Sequence, residues 1–484
     1  MIVVHKWIQF VQPLVCVSTF TPAKLNVNKR LRGLGFVRGP CKTTMAHSKR
    51  GLTTSCPLTA PNLAGMTELN RDAFKKTIQV PSIKVNKKLI QQCMKVYKQR
   101  KFYRKQLSAI RDIPDDSENK FVMLDPEKIK ELKCMTPEER AFIKENEVEE
   151  KIYKYELELS YWNWTYDEVI QAILPADVVV ATSFSRIGHI AHMNLKPEHD
   201  KYKHIIGQVL IDKTPGITTV VNKLSEINNE FRFFKMEILT GESNMIASVK
   251  EHHCQFEFDF SKVYWNPRLA TEHARITKLV DRGDVVFDIF AGVGPFAIPM
   301  AKKGGIIFAN DLNPESYRWL VHNSKLNKVE KRLTTFTMDG REFIRKVVKE
   351  ELVAMATKTK PEYERERNVH IVMNLPSSAL EFLDAYRGLV SDVSDMVQSQ
   401  LPLPTVHCHC FSKEVNAGMD VLQRTSAILK HKVDTAVVHD VRDVAPNKEM
   451  MCVTFKLPRD VLTQGIPLDY QIKNGPVGKK PRLL

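Results

Sequence analysis

Asp288-Ile-Phe-Ala-Gly-Val-Gly-Pro-Phe296 follows the apolar run Val285–Phe287 and leads into a helix-compatible run, Ala297–Ala301. Strand, glycine-rich turn and helix in that order let a backbone approach a nucleoside cofactor closely. Working outward, Asp311 closes the next apolar run, Ile306–Asn310, 23 residues after Asp288. That is where a ribose-binding carboxylate belongs. Asp339 closes the run Leu333–Met338, and Val372-Met-Asn-Leu-Pro376 ends a fourth. Four successive strand ends with polar residues build one crevice.

A glycine-rich turn alone is shared by many nucleotide enzymes. The linked acids narrow the expectation to S-adenosyl-L-methionine. Gly292 and Gly294 remove side chains where its methionine moiety approaches the turn, Asp311 accepts from the ribose, and Asp339, before Gly340, accepts from the adenine amine. The bland alternative for each acid is a helix N-cap. Around the turn, strands are predicted at 285–290, 306–311, 333–339, 370–376 and 405–411. Helices between them include Pro314–Asn327 and Leu380–Tyr386. Alternation of this kind predicts a parallel α/β sheet covered on both faces. Thr435–His439 and Met450–Phe455, joined by the polar turn Asp443–Lys448, predict a terminal hairpin with one antiparallel strand in that sheet.

The chain has 484 residues, enough for two or three domains, and a formal net charge of +16. Such an excess favours a polyanion, nucleic acid first. Hydrophobic residues make up 43%, with no run long enough to span a bilayer. The nine cysteines are scattered, which suggests free thiols in a reducing compartment. Cys408-His-Cys410 reads as a strand of small buried side chains rather than a zinc site, because no second ligand pair lies near.

Residues 1–67 contain no acid and carry nine Lys or Arg, from Lys6 to Arg50, the texture of a mitochondrial transit peptide. A disordered basic leader is the alternative. Residues 68–166 are charged and mostly helical in pattern, with Ile90, Met94 and Tyr97 at helical spacing. The aromatic stretch Tyr153–Trp164 suits contact with a neighbouring domain. Residues 167–262 read as a small mixed α/β domain with strands at Val178–Ser183, Gly216–Asn222 and Glu237–Gly241 and a helix at Tyr202–Ile211. Residues 263–460 form the cofactor-binding domain, and 461–484 a basic disordered tail, for which a nuclear signal is the alternative.

After Asn374-Leu-Pro376 come Ser377-Ser-Ala379, without the aromatic that stacks on a base in transferases acting on exocyclic amines. A ring-nitrogen acceptor is the alternative, and it requires a general base. Ser185-Arg-Ile-Gly-His-Ile-Ala-His-Met-Asn194, Val263-Tyr-Trp-Asn-Pro-Arg-Leu-Ala-Thr-Glu-His273, Asp288–Phe296 and Asn374–Ala379 together resemble the archaeal and eukaryotic tRNA (guanine(37)-N1)-methyltransferases. The resemblance covers 170–458 well and 70–165 loosely. It implies a class I, Rossmann-like methyltransferase domain acting on the guanosine 3′ of the anticodon. It also implies a tRNA partner held at the anticodon loop and outer corner, no membrane, a monomer, and the first step of wybutosine synthesis on phenylalanine tRNA.

By that resemblance Glu272 is the general base and Arg232 steadies charge on guanine O6. Tyr264 holds the extruded base, and Asn374 and Pro376 shape its pocket. His273, Asp288, Phe290, Gly292, Gly294, Asp311, Leu312, Asp339, Gly340 and Asn374 contact the cofactor. No metal is expected. The expected compartment is the mitochondrial matrix, with cytoplasm and nucleus as further sites. The rivals are the aminocarboxypropyl transferase of wybutosine synthesis and a catalytically silent tRNA-binding subunit.

Overall fold

The computed structural model describes residues 58–181, 183–227, 234–433 and 435–464. Its first region is built on strands. β1 (Lys76–Asn86), β2 (Ile110–Ile113), β3 (Asp116–Met123) and β4 (Tyr153–Leu159) form an antiparallel sheet in the order β2-β3-β1-β4. The mostly helical region predicted for 68–166 is therefore corrected. The spacing of Ile90, Met94 and Tyr97 marks only a seven-residue helix, Ile90–Val96. The physical reason lies in β1. Ile78 and Val80 enter one core, whereas Ile83 and Val85 enter another, with Tyr97 and Phe142. Side chains at even and odd positions face opposite ways, so no single apolar face repeats and the period-2 signal is lost.

The chain is already packed ahead of the boundary expected after residue 67. Leu58, Leu63 and Met66 lie against the first of those cores, and the Leu63 N–H donates to the Ala172 carbonyl and the Gly65 N–H to the Ile173 carbonyl, both at 2.9 Å. The same core takes in Tyr161 and Trp164 together with Val209 and Leu239 of the following region. The aromatic stretch thus covers a neighbour, as its composition suggested.

That neighbour is a four-stranded sheet, β5 (Ser185–Ile187), β6 (Ile190–Met193), β7 (Thr219–Ile227) and β8 (Phe234–Gly241), in chain order. β6 and β7 are parallel and the helix Lys203–Lys213 joins them. The strand predicted at Val178–Ser183 is absent from the sheet. Val178, whose N–H donates to the Pro175 carbonyl in a turn, and Val180 pack on the shared core, and the first pairing begins at Ser185. The hairpin β9 (Ile246–Glu251) and β10 (Cys254–Asp259) follows. Its Phe256 and Phe258 pack with Trp265, Ile298 and Leu320, so it belongs to the body that follows, ahead of the boundary expected after 262.

The last region carries β11 (Val285–Asp288), β12 (Ile306–Asn310), β13 (Leu333–Phe336), β14 (Val369–Met373), β15 (Thr405–Ser412), β16 (Val437–Ala445) and β17 (Lys448–Lys456). Their order is β13-β12-β11-β14-β15-β17-β16, the first five parallel, β17 antiparallel to β15, and β16 antiparallel to β17. Val285 and Phe287 enter one core and Val286 the other, so the sheet is buried on both faces and its strands read as continuous apolar runs. The strand order reverses between β11 and β14. A crevice for a ligand opens there, beyond the carboxyl ends of the strands.

Candidate active site

The glycine-rich turn sits at that switch point. Gly292 has a φ of +55°, and a Cβ added to it would meet nothing within 4 Å, so its face is open. Gly294, at +98°, is glycine for a different reason, because a Cβ there would strike Ile298 and Leu320 below 3 Å. Asp311 braces the turn. Its Oδ2 accepts from the Gly292 N–H at 2.8 Å and its Oδ1 from the Asn313 N–H at 2.9 Å. Asp288 is fully buried, and its two oxygens make no hydrogen bond of ordinary geometry. Burial first, and then the negative charge of Asp311, push its carboxyl up to about 8.

Asn310 ties these strand ends together. Its amide donates to the carbonyls of Ile289 (3.2 Å) and Met338 (3.0 Å) and accepts from the Met338 N–H. Asp339 is exposed, and its Oδ1 caps the next helix by accepting from the Arg341 and Glu342 amides. The bland alternative therefore holds for that oxygen. Gly340 admits the rings of Phe290 and Phe382, each 3.0 Å from where its Cβ would stand. Leu312 is exposed at the rim. His273 lies behind the turn, its ring 4.7 Å from that of Phe296 and its Nδ1 2.6 Å from Glu251.

On the other side, half-exposed Tyr264 lines a cavity of about 270 Å³ with Phe184, His192, Asn266, Lys223 and Arg442. Both the middle and the last region contribute to it. At the end of β14 the Oδ1 of Asn374 is buried without a partner. Pro376 anchors the same loop, its carbonyl accepting from the Phe411 N–H at 3.0 Å. Arg232 lies outside the described residues.

Glu272 is 4% exposed. Arg275 forks onto it with two bonds of 2.7 Å, and His409 Nε2 lies 2.7 Å from its Oε1. Burial alone would raise this carboxyl, but Arg275 and His409 outweigh it and hold it well below the usual range. For His409 burial works the other way, lowering it, but Cys452 and Glu272 outweigh that and push it up to about 10. Glu272, His409 and Cys452 offer ligand atoms within 4.8 Å of one another. However, both Glu272 oxygens are already engaged by Arg275 and His409, and the guanidinium beside the carboxylate repels a cation. Cys408 and Cys410 point to the opposite face, into the core.

Residues 247–398 match the model of the TRM5/TYW2 methyltransferase domain, and residues 166–244 that of the TYW2 N-terminal domain. The tRNA (guanine(37)-N(1))-methyltransferase of Xenopus tropicalis is 48% identical over 422 residues, 87% of this chain and 84% of that one. The chain belongs to the tRNA (guanine(37)-N1)-methyltransferase family. The Homo sapiens member is 48% identical over 83% of this chain and 78% of its own. Among solved structures, Trm5b from Pyrococcus abyssi is similar in fold with a TM-score of 0.53 at 24% identity, covering 78% of this chain and 99% of its own. A complex of aTrm5 with tRNALeu gives 0.55 at 23% identity, covering 78% and 100%. The fold is thus that of the class I methyltransferases.

This family member has a crevice that suits S-adenosyl-L-methionine. A buried, unbonded carboxylate at Asp288 matches the cofactor's ammonium, and the open face of Gly292 admits its chain. Sequence reasoning missed Asn310, Arg275, His409, Cys452 and His439. Arg275 was within reach, three residues from Glu272 on one helix face. The others meet Glu272 or the turn only through strand register.

Proposed function

We infer that this protein transfers a methyl group from S-adenosyl-L-methionine to N1 of guanosine 37 in tRNA. The observation that carries this is the 48% identity to a relative of that name over 87% of the chain. The bound cofactor supplies an electrophilic methyl group. Asp288, Asp311, Gly292 and Gly294 hold it, with His273, Phe290, Leu312, Asp339, Gly340 and Asn374 around them. Glu272 takes the proton that N1 must lose, and Arg232 steadies the charge this pushes onto O6. Tyr264, Asn374 and Pro376 enclose the extruded base. Leaving the anticodon stack costs a few kcal/mol, which phosphate contacts from the basic surface offset.

The enzyme acts as a monomer on this reading. Its acid-free leader takes it to the mitochondrial matrix, with cytoplasm and nucleus as further sites, and on phenylalanine tRNA its product opens wybutosine synthesis. Among the described residues no helix is long and apolar enough to cross a membrane. The test is to incubate the protein with labelled cofactor and unmodified tRNA and to map the product. A methyl group on N1 of guanosine 37 is expected. Label at another position, or the larger mass of an aminocarboxypropyl group, overturns the reading.

A further inference from the structure

Glu272 is closed in on three sides and open on one. β15, β17 and β16 are in register beneath it, His409 pairing with Cys452 and Cys452 with His439. Directly paired residues project from the same face. An imidazole, a thiol and a second imidazole therefore form a row from the buried interior to the open edge of the sheet. The Glu272 carboxylate lies 2.7 Å from His409 Nε2 and 3.9 Å from His439 Nε2.

These neighbours differ in what they can do with a proton. Arg275, from Glu272's own helix, keeps its proton. His409, from β15, is fully buried and its Nδ1 makes no hydrogen bond, so a proton delivered there goes no further. Cys452, from β17, is fully buried. The side chain of His439 is 44% exposed. It stands on the outermost strand, just before a bulge between Asp440 and Arg442. Bulges at sheet edges re-aim side chains beside active sites. Arg442, beyond the bulge, lines the Tyr264 cavity, so one strand borders both the cavity and the carboxylate.

We propose that His439 is the outlet through which the proton taken by Glu272 reaches solvent. This rests on Glu272 as the acceptor of the N1 proton. In the balanced reaction the nitrogen–methyl bond forms with the electron pair freed when N1–H breaks, the methyl–sulfur pair stays on sulfur, and one proton remains. Glu272 receives it and His439 Nε2 accepts it in turn, leaving the carboxylate ready for the next substrate. A gap of 3.9 Å exceeds a hydrogen bond, but rotation of an exposed ring or one water closes it. His439 touches no reacting atom and acts through Glu272.

The experiment compares wild type, Glu272→Gln, His439→Gln and the double variant in single turnover and at steady state across pH. His439→Gln is expected to slow steady-state turnover on the order of tenfold near neutral pH, with an unchanged single-turnover rate and unchanged tRNA and cofactor affinity. Added imidazole should restore most of that rate, and the double variant should be no slower than Glu272→Gln alone. A normal steady-state rate in His439→Gln, no rescue by imidazole, or multiplying losses in the double variant each overturns the outlet. Product mapping in wild type keeps the two readings apart. A methyl group on N1 of guanosine 37 with a normal steady-state His439→Gln rate sinks the outlet alone, whereas a product elsewhere sinks the functional reading itself.

Discussion

At the scale of single residues, the two carboxylates of the site are tuned in opposite directions. Asp288 is buried beside Asp311 with nothing to neutralise it, so its carboxyl rises to about 8. The ligand-free fold thus holds a proton there that the unfolded chain has released above its ordinary 3.8. The sign follows directly: this group's contribution to stability falls as pH rises from about 4 to about 8. Binding a cationic group there favours the ionised form. Cofactor affinity should therefore climb with pH, by up to about tenfold per unit below pH 8, with a proton released to buffer. Calorimetry in two buffers of different ionisation enthalpy measures this, and Asp288→Asn should abolish the slope. Glu272 is the reverse case, held down by Arg275 and His409. Arg275→Ala should raise its pKa by about 1–3 units and carry the acid limb of the single-turnover pH–rate profile upward with it. An unmoved limb would mean that another group takes the proton.

At the scale of elements, the β9–β10 hairpin clamps the helix that bears Glu272. His252 Nε2 lies 2.6 Å from the Ala270 carbonyl, and Glu251 is bonded to His273. The turn itself is strained, since His252 and His253 have φ values of 47° and 61°, where glycine and asparagine are at ease. Its two histidines should respond differently to replacement. His253→Gly removes left-handed strain and should raise stability by about 1 kcal/mol. His252→Gly removes the same strain but loses the tether, so its melting temperature should gain less and its single-turnover rate should fall. Equal behaviour of the two in thermal unfolding and kinetics would dismiss the clamp. Asn310 plays a comparable part across three strand ends, bonding Ile289 and Met338 from β12. No sequence pattern announces such an asparagine, because its partners are backbone atoms 21 and 28 residues away.

At the scale of the whole molecule, the three regions are joined through shared cores rather than linkers. The N-terminal sheet shares one core with the middle region, and the middle region shares another with the catalytic body through Ile187, Ile190 and Val221. A chain starting at Leu58 keeps all of these contacts. One starting at Glu68 loses the Leu58, Leu63 and Met66 contacts and should melt several degrees lower, at a cost of about 2–4 kcal/mol in buried apolar surface. Equal melting temperatures would show that the segment adds nothing. Sequence alone determined the catalytic body: strands buried on both faces write themselves as apolar runs, and the acids and glycines at their ends mark the crevice. It misread the N-terminal sheet, because β1 divides its apolar residues between opposite faces, and β9–β10, because a hairpin's core partner is not encoded locally. Only the tertiary structure decided the state of Glu272. Its charge depends on Arg275 and His409, and His409 arrives from a strand about 140 residues away, brought beneath it by cross-strand register, which a linear pattern does not record.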